Sequence, residues 1–220
     1  MSRNKYAIGT VVGTALLGLA KSSLLGSKND RVVVYSIEEL RQHANDPKLA
    51  PLVTRVYLEY KNLRTLPPEI WNLTNLRSLL LLGNPLTTLP PEIGSLTSLA
   101  VLNLTANQFT TLPPEIGNLT NLKYLNLYGN KLTTLPTEIG NLTNLETLAL
   151  DDNKLTTLPP EIGKLKNLKY LNLRGNPDLK ITLNFVIDLL NTYQNTIVAE
   201  LLTKYIHQQT IPAPQTIRMR

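Results

Sequence analysis

Residues 122–144 read LKYLNLYGNKLTTLPTEIGNLTN, and the rest of the chain is organised around this stretch. Its apolar residues fall at positions 1, 4, 6, 11, 14, 18 and 21; twenty-three residues later the same positions hold Leu145, Leu148, Leu150, Leu155, Leu158, Ile162 and Leu165. Moving outward in steps of 23, Leu99, Leu76 and Val53 precede Leu122, and Leu168 follows Leu145. Five complete copies span 53–167, and a sixth starts at Leu168 and loses register after Asn176. A period of this size marks a repeat architecture, in which each unit is too short to bury its own apolar side and stacking buries all of them together.

Positions 4 to 6, Leu125-Asn126-Leu127, alternate apolar and polar residues, which predicts a short strand with one buried face. The Gly-Asn that follows in several copies is a turn signal. The Leu-Pro-Pro-Glu-Ile segment then predicts a short helical or irregular return, with proline at the first helical position. Glu69, Glu92, Glu115, Glu138 and Glu161 recur at this helix start, where a carboxylate complements exposed N–H groups, so they are read as structural rather than catalytic. The asparagine at position 9 recurs as Asn84, Asn107, Asn130, Asn153 and Asn176. A carboxamide both donates and accepts, so these five are expected to bond backbone at the turns and tie neighbouring units together.

The pattern L-x-x-L-x-L-x-x-N-x-L-x-x-L-P-x-x-I-x-x-L resembles the leucine-rich repeat. Its 23-residue form is similar to that of many bacterial repeat proteins and of plant intracellular Ras-group-related ones. The resemblance implies an α/β fold: a right-handed solenoid with a parallel concave sheet and helical caps at both ends. It also implies protein binding, without naming a partner, because one scaffold serves many.

The flanks fit this plan. Residues 31–52 read as an N-terminal cap: the strand Arg31-Val32-Val33-Val34-Tyr35, then a helix opened by the Ser36/Glu39 capping box and stopped at Asp46-Pro47. After residue 178, Val186, Leu189, Leu190, Tyr193, Ile197, Leu201 and Tyr205 recur at helical steps, giving a C-terminal helical cap over 179–210, read either as one helix or as two that break near Asn195, and a loose tail over 211–220. Residues 1–30 carry an uncharged run from Tyr6 to Ala20 that suits a signal-peptide core. Export or membrane anchoring is the favoured reading, with a cytoplasmic tail as the alternative, and membrane contact is expected only through residues 7–26.

Composition narrows the chemistry. The chain has 220 residues, no cysteine, and two histidines, His43 and His207, both outside the repeats. Thiol nucleophiles, disulfides and thiolate metal sites are thereby excluded, and no catalytic residue, cofactor or metal is expected. The net charge of +6 is spread thinly, with eleven Lys/Arg against ten Asp/Glu in 53–178, so no nucleic-acid surface is expected.

Strand alternation places positions 3, 5, 7 and 8 on the outer, concave side of the sheet. There the chain gathers five of its nine tyrosines: Tyr57, Tyr60, Tyr124, Tyr128 and Tyr170. Leu80, Leu82 and Val101 add apolar area, and Asp151, Asp152 and Arg174 add charge. Tyrosine is a frequent interface anchor, so these eleven residues form the expected surface for a protein or peptide ligand. Asp151 and Asp152 could pair with Lys123, Lys169 or Arg174 or contribute to a cation site; a solvated polar contact is the favoured reading. The competing reading is an anchored structural spacer. Oligomeric state does not follow from these patterns.

Overall fold

The computed structural model describes residues 32–210, so the Tyr6–Ala20 run and the 211–220 tail lie outside the described residues. Seven strands run in sequence order through one parallel sheet: β1 (Val32–Val34), β2 (Val53–Tyr57), β3 (Ser78–Leu80), β4 (Val101–Asn103), β5 (Tyr124–Asn126), β6 (Thr147–Ala149) and β7 (Tyr170–Asn172). From β2 onward each strand pairs with the next in a constant register, as in Val101↔Tyr124↔Thr147↔Tyr170, so equivalent positions of successive repeats stand side by side. Backbone bonds continue past the strands, for example from Leu104 N–H to Asn126 O at 2.8 Å and from Ala106 N–H to Tyr128 O at 2.8 Å. The chain is a leucine-rich-repeat solenoid with this sheet along one side.

Five 3-10 turns line the opposite side: Pro68–Asn72, Pro91–Ser95, Pro114–Asn118, Thr137–Asn141 and Pro160–Lys164. In four of them proline stands at the start, where it has no N–H to leave unpaired, and a glutamate sits in the first turn of all five. Between sheet and turns runs one continuous apolar core from Val34 to Tyr205, built from positions 1, 4, 6, 11, 14, 18 and 21. Each fully buried leucine contributes about 1.5–3 kcal/mol, which is what holds so short a unit together.

The position-9 asparagines lie inside this stack. Asn130 accepts from Phe109 N–H of the preceding repeat at 3.1 Å and donates to Leu104 O and Leu127 O, both at 3.0 Å. Asn107, Asn153 and Asn176 make the same set of bonds, and Asn84 accepts from both Lys61 and Leu63 N–H. A second row ties the other side: the side-chain amides of Asn75, Asn121, Asn144 and Asn167 donate to backbone carbonyls twenty-four residues earlier.

At the N-terminal end β1 continues the sheet by pairing with β2. It leads into α1 (Ile37–Ala44), whose start is fixed by Ser36 Oγ accepting from Glu39 N–H at 3.1 Å. The glutamate of this capping box reaches past Ser36 to accept from Tyr35 N–H at 2.8 Å. At the other end α2 (Leu183–Tyr193) and α3 (Thr196–Thr210) meet at Gln194, which is left-handed at φ 52°. Asn195 then caps α3 through Val198 N–H and donates to Gly163 O at 3.0 Å, fastening the cap to the last 3-10 turn. The left-handed residue resets the helical phase. Val198, Ala199 and Leu202 are therefore buried, while Ile197, which continuous spacing assigned to the packed face, is exposed. Among the described residues no helix is long and apolar enough to cross a membrane.

Candidate functional site

The sheet face formed by positions 3 and 5 is narrower than strand alternation implied. Side chains on three-residue strands about 4.8 Å apart shield one another. Leu80, Val101 and Tyr124, expected to offer free contact area, pack together with Tyr57 as a second small apolar cluster, and Tyr124 keeps only 4% of its surface in water. These three serve the sheet before any ligand arrives. Burial pushes the Tyr124 and Tyr57 hydroxyls above the usual phenol range. Tyr57 is further held by a hydrogen bond to Ser78 and by the ring of Tyr35, which meets it edge-on at 5.6 Å between centroids. Tyr35 went unnoticed in the repeat pattern because it precedes the first copy; it becomes a neighbour only because β1 extends the sheet.

Positions 7 and 8 carry more of the accessible surface. Leu82, Tyr128 and Asp151 are half-buried, Arg174 and Asp152 are exposed, and Tyr60 is, among the described residues, the most open of the large apolar side chains at 70%. Position 8 is left-handed in all six copies: Tyr60, Gly83, Ala106, Gly129, Asp152 and Gly175 have φ between 51° and 70°. Glycine adopts this conformation freely, whereas the other three pay for it. The two kinds alternate, and the side chains of Tyr60 and Asp152 lie over the following glycine. A Cβ on Gly83 would run into the Tyr60 ring, and one on Gly175 into Asp152 Oδ1.

Of the pairings open to the acidic doublet, none forms among the described residues. Lys169 pairs with Glu146 at 2.6 Å instead, and no salt bridge among the described residues reaches Asp151 or Asp152. The physical reason is direction: Lys169 stands at position 2, outside the face that Asp151 looks onto. Burial raises the Asp151 carboxyl to about 6, and neighbouring Asp152 adds to the rise while Arg174 opposes it. Among the described residues no group of three or more potential ligands converges on a metal position.

Repeats 4 and 6 share a motif that the sequence shows only once the strands are aligned. Tyr124 hydroxyl accepts from Asn126 Nδ2 at 3.0 Å, and Tyr170 is bonded in the same way to Asn172. Each asparagine also accepts the N–H two residues on, Tyr128 at 2.9 Å and Arg174 at 3.2 Å, which fixes its orientation. Between them, Thr147 and Ala149 of repeat 5 occupy the same two positions.

Comparison with known proteins agrees with this geometry. Residues 114–191 match a family described as leucine-rich repeat region, and 75–96 and 98–119 match the single leucine-rich repeat. Among solved structures, a leucine-rich-repeat protein of Leptospira interrogans is 37% identical, with a TM-score of 0.57 over 74% of this chain and 45% of its own. The ectodomain of the Arabidopsis thaliana receptor kinase SOBIR1 is 33% identical, with a TM-score of 0.51 over 57% of this chain and 71% of its own. The plant peptide hormone receptor RGFR1, in complex with RGF2, is 30% identical, with a TM-score of 0.53 over 65% of this chain and 23% of its own. This chain thus spans less than half the length of the Leptospira protein. No curated protein sequence matches it.

Proposed function

The chain belongs to the leucine-rich-repeat proteins, and on that premise we propose that it is a non-enzymatic binding module that takes a protein or peptide segment on the sheet face. Proteins of this family commonly act as interaction modules, and a peptide hormone receptor stands among the similar structures. The observation that carries the reading is the row of groups across repeats 4 to 6, where Tyr128, Asp151, Arg174 and Tyr170 combine aromatic area, charge and hydrogen-bonding capacity on one rigid support. Catalysis has no comparable support, since the two histidines lie in the caps and cysteine is absent.

Panning a random peptide library against the full chain tests this directly. Enriched peptides should lose at least tenfold in affinity against a Tyr128→Ala/Tyr170→Ala variant whose thermal midpoint stays within a few degrees of the parent. Tyr124 is left out of that variant because its burial makes alanine there a packing defect. Peptides that bind both proteins equally would reject the sheet face as the site. The spacer reading draws on the uncharged Tyr6–Ala20 run. Under it, deleting residues 1–26 releases the protein from the membrane fraction, while the Tyr128/Tyr170 variant behaves as the parent.

A further inference from the structure

Neighbouring repeats are joined at the sheet and again away from it, and the second closure is made by three recurring contacts. The first is the carboxamide row, in which Asn121, Asn144 and Asn167 donate to carbonyls of the preceding unit. The second is a backbone bond on the way round, from Gln108, Lys131 and Lys154 N–H to Leu86, Phe109 and Leu132 O. The third is close packing of the 3-10 turns, where a Cβ on Gly94, Gly117 or Gly140 would run into the glutamate of the next turn.

All three fail where repeat 1 meets repeat 2. Ser98 stands in place of the asparagine, and among the described residues it forms no bond to Thr74. Pro85 stands where Gln108, Lys131 and Lys154 stand in later units, and it has no N–H to give. Trp71 replaces the glycine, so a half-buried indole is set at the place where later turns make room for their neighbour. The Pro68–Asn72 and Pro91–Ser95 turns accordingly touch over only part of their length, whereas the next three pairs pack along all of theirs. Pro177 repeats one of these losses between repeats 5 and 6, but there Asn195 donates to Gly163 O and Tyr193 lies against Gly163.

On either side of the gap the ties resume. Asn72 and Asn75 donate to Ala44 O at 3.3 Å and Pro51 O at 2.9 Å, and Arg41 pairs with Glu69 at 3.7 Å, which binds repeat 1 to the N-terminal cap. At the sheet, repeats 1 and 2 stay joined by β2–β3 pairing, by Tyr60 N–H on Leu82 O at 2.8 Å, and by Asn84, which accepts from Lys61 and Leu63 N–H at 3.0 Å each. A junction held along one edge and loose along the other turns about the held edge.

We infer that the junction of repeats 1 and 2 is a hinge built into the solenoid. The N-terminal cap and repeat 1 form one body; repeats 2 to 6 and the C-terminal cap form the other. The β2–β3 pairing is the axis, and the gap beside Trp71 widens and narrows as the two bodies turn. In a stack where each unit contacts only its neighbours, one loose interface moves without loosening the rest. The motion carries Tyr35, Tyr57 and Tyr60 relative to the later strands, so it sets the pitch of the N-terminal end of the sheet face. The hinge does not depend on that face being the binding surface.

The chain has no cysteine, so introduced pairs carry nitroxide labels without background. Thr74, Thr97, Thr143 and Lys166 are exposed and hold the same place in repeats 1, 2, 4 and 5. In the full chain, Thr74→Cys/Thr143→Cys spans the hinge and two closed junctions, whereas Thr97→Cys/Lys166→Cys spans three closed ones. Pulsed electron–electron resonance should give the first pair a distance distribution about twice as wide as the second. Ser98→Asn/Pro85→Lys restores two of the missing ties outside the apolar core, and should narrow the first distribution to match the second, which stays unchanged. Ser98→Asn alone should narrow it part of the way. Acrylamide quenching of Trp71, the chain's only tryptophan, should fall about twofold in the double variant. Equal widths in the parent overturn the inference, and so does a wide first distribution that both restoring variants leave as wide as before.

Discussion

The two halves of the sheet face share a backbone and differ in what they do with it. In repeats 1 to 4, Tyr57, Leu80, Val101 and Tyr124 close the face with their own side chains. In repeats 4 to 6, Thr147 and Ala149 stand in place of the Tyr–Asn pair, and Tyr170, Asp151 and Arg174 keep more of their surface in water. The register is the same throughout, so the difference lies in side-chain volume at two positions per repeat. In such a scaffold, the site is written as a departure from the local average.

Several experiments would break or sharpen that contrast. The largest effect should come from removing what the halves have in common. Asn130→Ala strands the buried Phe109 N–H and removes one of the two amides that Leu104 O and Leu127 O each accept, and is expected to cost about 2–4 kcal/mol in chemical denaturation. Next, Tyr124→Ala should cost about 2–3 kcal/mol because the ring is packed, whereas Tyr170→Ala, which leaves a half-exposed position, should cost under about 1 kcal/mol. Equal losses would mean that the C-terminal half is as closed as the N-terminal one.

A smaller effect, opposite in sign, is expected at Asp151. Its folded-state carboxyl titrates near 6 against an ordinary value of 3.8, so the folded chain holds this proton more tightly than the unfolded one. The resulting stabilisation is complete below about 3.8 and is lost as pH rises through about 6. Asp151→Asn should therefore raise the thermal midpoint by a few degrees at pH 7.5 and leave it unchanged near pH 3.5. A residue that costs stability at neutral pH and gives it back on substitution behaves like part of a site. The smallest effect belongs to position 8: Ala106→Gly should gain up to about 1 kcal/mol by relieving its left-handed backbone.

The stacking of the fold was legible because its signal is repeated. Leucines every 23 residues and the position-9 asparagines state the same geometry five times over. The break near Asn195 was legible too, but not its consequence, since a single left-handed residue at Gln194 rotates α3 and buries Val198 where unbroken spacing chose Ile197. The candidate site was only half legible. Alternation marks which residues face outward, and says nothing of whether their neighbours across the sheet cover them. Tyr124 and Tyr170 look alike in sequence, and they differ because one has Val101 beside it on β4 and the other stands on the last strand.

The alternation at position 8 carries a consequence for length. Tyr60 lies over Gly83 and Asp152 over Gly175, with the Ala106 backbone next to Gly129, so the turns come in couples of one residue with a side chain and one glycine, and in two of the three the glycine makes room for that side chain. Splicing a single 23-residue unit into the array would bring two side chains, or two glycines, into adjacent turns. Splicing in 46 residues preserves the couples. The natural increment for lengthening or trimming this protein is therefore two repeats, and designed versions built from whole couples should fold with fewer losses than those built from odd numbers.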